Sequence, residues 1–513
     1  MTIADQSMYV RQGEAERHIS NSTVYTLWLP MLLFGSMGAI TWAIRGTAGW
    51  GGVDGTVMPG LMWGMLWYFI CMRRGIDARG IVFWLGFGLA LGGELGYGQY
   101  VAWMQGRFYV GDEILSIAPS IGYLWFVLCG IGWAAPGGII LGWALGKNAP
   151  LRYWIIRSLF VIVLLLFLFA WPLVDWLAEQ MVRFWPGFLF PHADMGLYSG
   201  ELGKHLSRTV YTNTQNFAVV VWWIAALVVA AIQRDRPTIV TGLLLGGGFG
   251  LGFLQSALWC HGYSFAPSYI DWWKMWELNA GFNLGILYAL ALYWAMRKVD
   301  ANRQSDAKNQ MPISQDLNSS VKQWSDTVFL ALAGAFLLFF VGFEYFFWTG
   351  SFLTLIYFVG ITLAGAPRNP LNYSEIVEKR KNFSLVYSLF FLVFLMFHGG
   401  SERAGILLEL YNADAVDQYA WPATRIIIFA PVAILIVVVA LFWMRRIIFR
   451  KEQLDLEKAI TPERLIDLMT LMGFIGALSI WPAKIGVIYA FFIFLALFSF
   501  SRLNRWYNKV HKV

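Results

Sequence analysis

Apolar segments of about 20 residues alternate with short polar segments along most of the chain, which is the length that a helix needs to cross a bilayer. The ~10-residue alternating segments of a transmembrane β-barrel are absent, and backbone in lipid must otherwise be helical. We therefore predict an all-α, polytopic integral membrane protein with about fourteen transmembrane helices. The predicted spans are residues 24–44, 56–72, 80–103, 117–146, 153–176, 216–233, 238–260, 275–296, 326–347, 350–366, 383–398, 425–444, 466–482 and 484–501.

The distribution of basic residues provides a separate test of this topology. Cytoplasmic loops of membrane proteins are enriched in Lys and Arg. If the N-terminus is cytoplasmic, the predicted inner segments hold most of the 38 Lys and Arg residues. The pattern therefore predicts an even number of spans with both termini in the cytoplasm. The polar start of the chain lacks a signal cleavage site, so the first span is expected to be an uncleaved anchor.

Polar segments divide the chain into five predicted parts, none of them a soluble domain. They are a cytoplasmic N-terminal segment (1–23), a first membrane bundle of about eight helices in Gly- and Trp-rich hairpins (24–296), a polar cytoplasmic linker (297–325), a second bundle of about six helices (326–501) and a basic cytoplasmic tail (502–513).

Composition agrees with the membrane class and excludes several others. Hydrophobic residues make up 58% of the chain, charged residues 13%, and the mean hydropathy is +0.57. The net charge of +7 is scattered over short loops, so no nucleic-acid partner is predicted. The three cysteines are far apart and indicate neither a disulfide framework nor a zinc site. The expected location is the cell membrane, inner or plasma, with the lipid bilayer as partner and the oligomeric state unknown.

Sequence motifs for cofactor chemistry are also missing. The chain has no Walker loop, dinucleotide fingerprint, GxSxG or HExxH motif. We predict no cofactor and no metal ion, and ATP hydrolysis and zinc-protease chemistry are not expected.

Two predicted hairpins share residue spacings that are typical of an internal repeat. The shared patterns are Q-x3-W-x2-G followed by W-x4-G-x3-G, formed by Gln99, Trp103, Gly106, Trp133, Gly138 and Gly142 in one hairpin and by Gln255, Trp259, Gly262, Trp276, Gly281 and Gly285 in the other. Parallel duplication and chance in a chain with 51 Gly and 27 Trp are both open. The G-x3-G pairs, including Gly60 and Gly64, predict close packing of helix backbones, with a glycine-lined path for a polar solute as the alternative.

Polar side chains within the spans gather at the predicted outer ends. Such groups are costly in lipid and are expected to face the bundle interior or a cavity. Glu94 lies fourteen residues into its predicted helix, in the outer third of the membrane, as a structural carboxylate or as a proton or substrate site. The predicted substrate-binding residues are Arg45, Asp54, Glu94, Gln99, Trp103, Gln255, Trp259, Glu277, Asn279 and Asn283.

The charged pair in the first hairpin and the tryptophans each allow a structural role or a role in binding a solute. Arg45 and Asp54 either pair with each other across their Gly-rich turn or meet a solute. The tryptophans at the outer turns, among them Trp103 and Trp259, fit an interfacial belt. They also fit a binding surface for a sugar-like or cationic solute.

Three function hypotheses follow, and the first is favoured. The chain is a secondary active transporter of a small polar solute, sugar-like or otherwise hydroxylated or charged, coupled to protons or another ion through Glu94. One observation argues against it: transporter sites are expected near the midplane of the membrane, whereas most polar side chains here lie at the predicted outer ends of the spans. The alternative is a membrane-embedded transferase or hydrolase that acts at the outer leaflet on a lipid-linked or glycan substrate, with His261, His398 and Glu402 as acid/base residues. A third hypothesis is a non-catalytic partner in an envelope assembly.

Overall fold

The structure is a computed structural model that describes residues 23–47, 53–74, 81–96, 98, 100–145, 151–184, 189–309 and 483–510. It is predominantly helical. The main helices are α1 (Leu29–Thr47, entered through the π-helical turn Val24–Trp28), α2 (Val53–Arg73), α3 (Ile81–Leu95), α4 (Pro119–Leu145), α5 (Leu151–Phe169), α6 (Trp171–Phe184), α7 (Gly200–Ile232), α8 (Arg236–Phe265), α9 (Trp272–Asn309) and α10 (Ala483–Val510). Strands β1 (Arg107–Val110) and β2 (Glu113–Ser116) form an antiparallel hairpin.

Six helices of the described residues are long and apolar enough to cross a membrane. They are Val24–Trp42, Pro119–Leu145, Gly203–Ile232, Arg236–Phe265, Trp272–Arg297 and Ile485–Lys509. A seventh candidate consists of Ile155–Phe167 and Pro172–Phe184, which meet at a bend of 80°. The protein is therefore a multi-pass helical membrane protein. Predicted spans 326–347, 350–366, 383–398, 425–444 and 466–482 lie outside the described residues, so the number fourteen stays a prediction.

The chain divides into two compact units. The first contains residues 1–326 and 491–513, and the second contains residues 327–490. Helices α1 to α9 all belong to the first unit. Of the second unit, the structure describes residues 483–490, which form the first two turns of α10. The predicted boundaries of the two membrane bundles stay predictions.

Helix α4 lies at the centre of the first unit, where it contacts α3, α7 and α8. Glycines on its surface allow these neighbours to approach closely. A Cβ atom at Gly142 would lie 2.3 Å from the Thr238 Cα of α8, and one at Gly137 would lie 2.6 Å from the Tyr288 hydroxyl. Without side chains at these positions, helix backbones make the direct contacts that drive association in lipid.

Helices α1 and α9 form a second close crossing through glycine. A Cβ atom at Gly281 would lie 2.2 Å from the Gly38 carbonyl oxygen, and one at Gly285 would lie 2.1 Å from the Phe34 carbonyl oxygen. The two helices therefore run in opposite directions. The predicted close packing at G-x3-G pairs is confirmed here and at Gly138 and Gly142 of α4.

Aromatic rings fill the space between these crossings. The Trp42 ring lies 4.7 Å from that of Trp133 and 5.8 Å from that of Phe249, measured between centroids. The Trp63 ring lies 4.9 Å from the Tyr288 ring, and its Nε1–H donates to the Phe34 carbonyl oxygen over 3.0 Å. All five rings are almost completely buried, which fixes the spacing of the surrounding helices.

Two predicted spans are not single straight helices. In the span predicted at 80–103 the helix ends at Leu95, and the next residue, Gly96, packs against α4, where an added Cβ atom would lie 2.3 Å from the Trp133 backbone nitrogen. The short helix Val101–Met104 then precedes the β-hairpin. Gly106, with φ of +77°, turns the chain into this hairpin, and Gly111, with φ of +58°, lies in the turn between its strands; the sequence analysis did not predict the hairpin. The span predicted at 153–176 breaks at Ala170, since Pro172 removes a backbone donor and clashes with the preceding turn.

The start of α1 and the ends of α2 and α10 meet at one end of the first unit. The Tyr25 and Trp506 rings stack with centroids 5.1 Å apart and an interplanar angle of 7°. Arg73, at the end of α2, donates from Nη2 to Asn504 Oδ1 over 2.7 Å and from Nη1 to Asn508 Oδ1 over 3.0 Å. The start of α1 and the end of α10 thus lie together, opposite the loop between α8 and α9.

Candidate functional site

Four of the predicted substrate-binding residues form one hydrogen-bonded array between α8 and α9. Trp259 Nε1 donates to Asn279 Oδ1 over 3.0 Å, and Asn279 Nδ2 donates to Asn283 Oδ1 over 3.2 Å. Asn283 Nδ2 donates to Gln255 Oε1 over 2.7 Å and to the Gly252 carbonyl oxygen over 2.8 Å. We call Gln255, Trp259, Asn279 and Asn283 the amide array.

Helix periodicity explains why these residues meet. Gln255 and Trp259 are four residues apart on α8, and Asn279 and Asn283 are four residues apart on α9, so each pair occupies one face of its helix. The helices are joined by the short segment 266–271 and are neighbours. A Cβ atom at Gly252 would lie 3.3 Å from Asn283 Cβ, so the glycine leaves room for the asparagine to reach the backbone of α8.

Counted along α9, the amide array extends from near the start of the candidate span Trp272–Arg297 to about its middle. Asn283 lies eleven residues beyond the start of α9, which corresponds to about 16 Å along a helix axis and to half of a ~30 Å hydrocarbon core. Gln255 is exposed, Trp259 is 39% exposed, and both asparagines are half-buried. Amides that are open to the surroundings at this depth are costly if they face lipid.

Stacked aromatic rings lie beside the Trp259 end of the amide array. Trp272 stacks on Trp259 with centroids 6.2 Å apart at 17°, and Tyr269 stacks on Trp272 with centroids 6.5 Å apart at 29°. Trp272 Nε1 donates to the Ala266 carbonyl oxygen over 2.8 Å, which orients its ring. We call Trp259, Tyr269 and Trp272 the aromatic shelf, and its partly exposed rings offer flat apolar faces next to hydrogen-bonding groups.

Glu277, a further predicted binding residue, has local partners on its own helix. Its carboxylate forms an ion pair with Lys274, and the pair is about nine-tenths buried. Trp273 Nε1 donates to Glu277 Oε1 over 3.0 Å. The pair is neutral as a unit, so it adds no net charge to the neighbourhood of the amide array.

The candidate base His261 lies near the C-terminal end of α8, where its Nε2 is 2.9 Å from the Tyr123 hydroxyl. The adjacent Cys260 carbonyl oxygen accepts from Gln105 Nε2 over 3.3 Å. Within the part of the chain that the structure describes, no group of three His, Cys, Asp or Glu side chains could hold a metal ion.

The remaining predicted residues are dispersed. Trp103 is buried, with its ring 5.1 Å from that of Tyr100 and 5.4 Å from that of Phe108, and it takes no part in the amide array. Arg45, Asp54 and Glu94 lie on α1, α2 and α3, but their side chains are outside the described residues, as are Gln99, His398 and Glu402.

A buried polar cluster that the sequence analysis missed joins α7 to the loop after α3. The Tyr100 hydroxyl donates to Asn213 Oδ1 over 2.8 Å, and Asn213 Nδ2 donates to the Leu189 carbonyl oxygen over 2.8 Å. Burial raises the pKa of the Tyr100 phenol well above its usual value, so the hydroxyl stays a donor. The run of polar residues at 212–216, directly before an apolar stretch, was the available signal.

Comparison of this chain with protein-family models, with curated proteins and with solved structures finds no match in any of the three. The function therefore has to be inferred from the geometry of the described residues.

Proposed function

We propose that the protein is a secondary active transporter of a small polar solute, and that the amide array forms part of its solute path. The observation that supports this proposal is an assembled set of three amides and a tryptophan that reaches, along α9, to about the middle of a candidate membrane span. Transporters bind their solutes near that depth.

The alternative, a transferase or hydrolase at the outer leaflet, has weaker support. His261 pairs with the Tyr123 hydroxyl, and no carboxylate hydrogen-bonds to its ring among the described residues. An enzyme that acts at the leaflet surface also has no need for hydrogen-bonding amides half-way into the membrane, whereas a transported solute must meet polar groups there.

Uptake into sealed vesicles tests the proposal. The full chain is reconstituted and offered radiolabelled sugars, polyols, amino acids and organic acids, with and without a pH gradient. We expect gradient-dependent accumulation of one class of solute. Chemical turnover of a lipid-linked or glycan substrate without accumulation of any solute would instead support the enzyme.

The same vesicles test the proposed coupling residue. We propose on sequence grounds that Glu94 carries the coupled proton, so Glu94→Gln should abolish uptake driven by the pH gradient while membrane insertion is unchanged. Glu201→Gln, which changes an exposed carboxylate at the start of α7, is the matched control and should transport normally. Gradient-driven uptake by Glu94→Gln at the wild-type rate would remove Glu94 from the mechanism.

A further inference from the structure

The amide array contains two groups whose hydrogen-bonding role is unambiguous, and these orient all of its amides. An indole Nε1 is only a donor, so the atom of Asn279 that faces Trp259 is its oxygen. A backbone carbonyl is only an acceptor, so the atom of Asn283 that faces Gly252 is its nitrogen. The Asn279 nitrogen then meets the Asn283 oxygen, and the Asn283 nitrogen meets the Gln255 oxygen.

Every hydrogen bond in the array therefore runs in one direction, from Trp259 to Gln255. The donors that remain are at its exposed side. Among the described residues, the Gln255 Nε2 group has no hydrogen-bond partner for either N–H, and Asn279 Nδ2 has used one of its two. An unpaired N–H inside a membrane costs more than an unused second lone pair on a carbonyl oxygen. The array therefore offers free N–H donors to a ligand that accepts hydrogen bonds.

Charge restricts the ligand further. Lys274, a cation within the described part of α9, is already paired with Glu277. At the rim, Asp271 Oδ1 accepts from the Tyr263 hydroxyl over 3.2 Å and from the Lys274 backbone N–H over 3.1 Å. The charges at the start of α9 are thus a neutral pair and the Asp271 carboxylate, and this combination disfavours an anionic solute there.

We propose that the array binds a neutral polyhydroxylated solute, a sugar or a linear polyol, and that Gln255 determines this specificity. A hydroxyl both accepts from the Gln255 and Asn279 N–H groups and donates to their oxygens. A carboxylate only accepts, and an ammonium group only donates. The apolar C–H faces of such a solute fit the aromatic shelf. The proposal rests on the proposed transport function for its assumption that the array meets a solute.

Equilibrium binding to the purified full chain in detergent tests this inference separately from transport. The probes are glucose, sorbitol, succinate and choline, and the expected result is that glucose or sorbitol binds more tightly than the two charged probes. Gln255→Met keeps the length of the side chain and removes both donors together with the oxygen that accepts from Asn283, so binding should weaken about tenfold or more. Gln255→Glu should shift the preference toward choline.

Gln233→Met is the matched control, because it makes the same change in the turn between α7 and α8, and its binding should equal that of the wild type. Both Gln255 variants should unfold at the wild-type temperature, since the side chain is exposed. Tighter binding of succinate or choline, binding of neither glucose nor sorbitol, or wild-type binding by Gln255→Met would overturn the inference. Binding of a polyol without accumulation in vesicles would keep the inference and overturn the transporter. Accumulation of succinate alone would support the transporter and overturn the inference that the array binds a neutral polyhydroxylated solute.

Discussion

A buried ion pair between Arg157 and Asp235 joins α5 to the turn between α7 and α8. The Arg157 Nη2 donates to Asp235 Oδ2 over 2.9 Å, and the two side chains are only 4% and 9% exposed. Asp235 also accepts from the Thr238 hydroxyl over 2.7 Å and caps the start of α8. The polar groups at the α8–α9 end of the helices thus have a buried counterpart at the opposite end of α8, which the sequence analysis did not single out.

Removing the positive charge of this pair should destabilise the protein. In Arg157→Met the Asp235 carboxylate stays buried without its partner, and we expect a loss of about 3–5 kcal/mol in the free energy of unfolding. Unfolding of the purified protein in detergent measures this. Lys204→Met, which breaks the exposed ion pair with Glu201, is the control and should change stability little. Equal stability of the two variants would contradict the assigned role.

Glycine contacts determine which helices are neighbours. They also show which part of the predicted repeat has the same structure in both hairpins. The Gly138 and Gly281 segments both use G-x3-G pairs at a close crossing, as the shared spacing predicts. The other halves of the two hairpins differ. Gly106 has a left-handed φ of +77° before the β-hairpin, whereas Gly262 continues a helical turn with φ of −54°. Shared spacing therefore reflects a shared packing requirement in one helix of each hairpin, and not one conformation throughout.

The crossing of α1 and α9 gives a direct test of the glycine contacts. Gly281→Ala would bring a Cβ atom to 2.2 Å from the Gly38 carbonyl oxygen, and neither backbone is free to move far. We expect a loss of about 1–3 kcal/mol, typical of overpacking, measured as a lower midpoint of unfolding in detergent. Gly486→Ala, where an added Cβ atom meets nothing within 4 Å, should not lower the midpoint. An unchanged midpoint for Gly281→Ala would refute the close crossing.

The orientation of the whole first unit follows from which ends lie together. Tyr25 stacks on Trp506, so the start of α1 and the end of α10 share one end of the unit. The antiparallel crossing of α1 and α9 puts the loop at 266–271 at the other end. The start of α1 and the end of α10 are the described positions nearest to the two chain termini, so an even number of spans with both termini in the cytoplasm stays the prediction that the basic residues make.

Cysteine labelling of intact cells tests this orientation. Ser268→Cys, in the exposed loop between α8 and α9, should react with a membrane-impermeant maleimide, whereas Ser7→Cys and Lys512→Cys should react only after permeabilisation. The native Cys71, Cys129 and Cys260 are buried and should give little background. Labelling of position 7 or 512 from outside, or of only one of them after permeabilisation, would contradict the topology.

Apolar periodicity determined the helical membrane class and the approximate place of the described helices, because span length and hydropathy are local properties of the chain. The same local pattern predicted that Gln255, Trp259, Asn279 and Asn283 lie near one end of their spans. It could not show that they form one directed array, since that depends on which helices are neighbours and on the missing Cβ atom at Gly252.

Other features required long-range contacts for the same reason. Arg157 and Asp235 are 78 positions apart in the sequence, and no local pattern pairs them. The end of α3 at Leu95 follows from contact with α4, and Tyr100 meets Asn213 across 113 positions. The sequence by itself determined what must lie in the membrane, because the cost of exposing polar backbone to lipid applies to each segment separately. Only the tertiary structure decided which polar groups meet, because helix partners are selected by close contacts between distant parts of the chain.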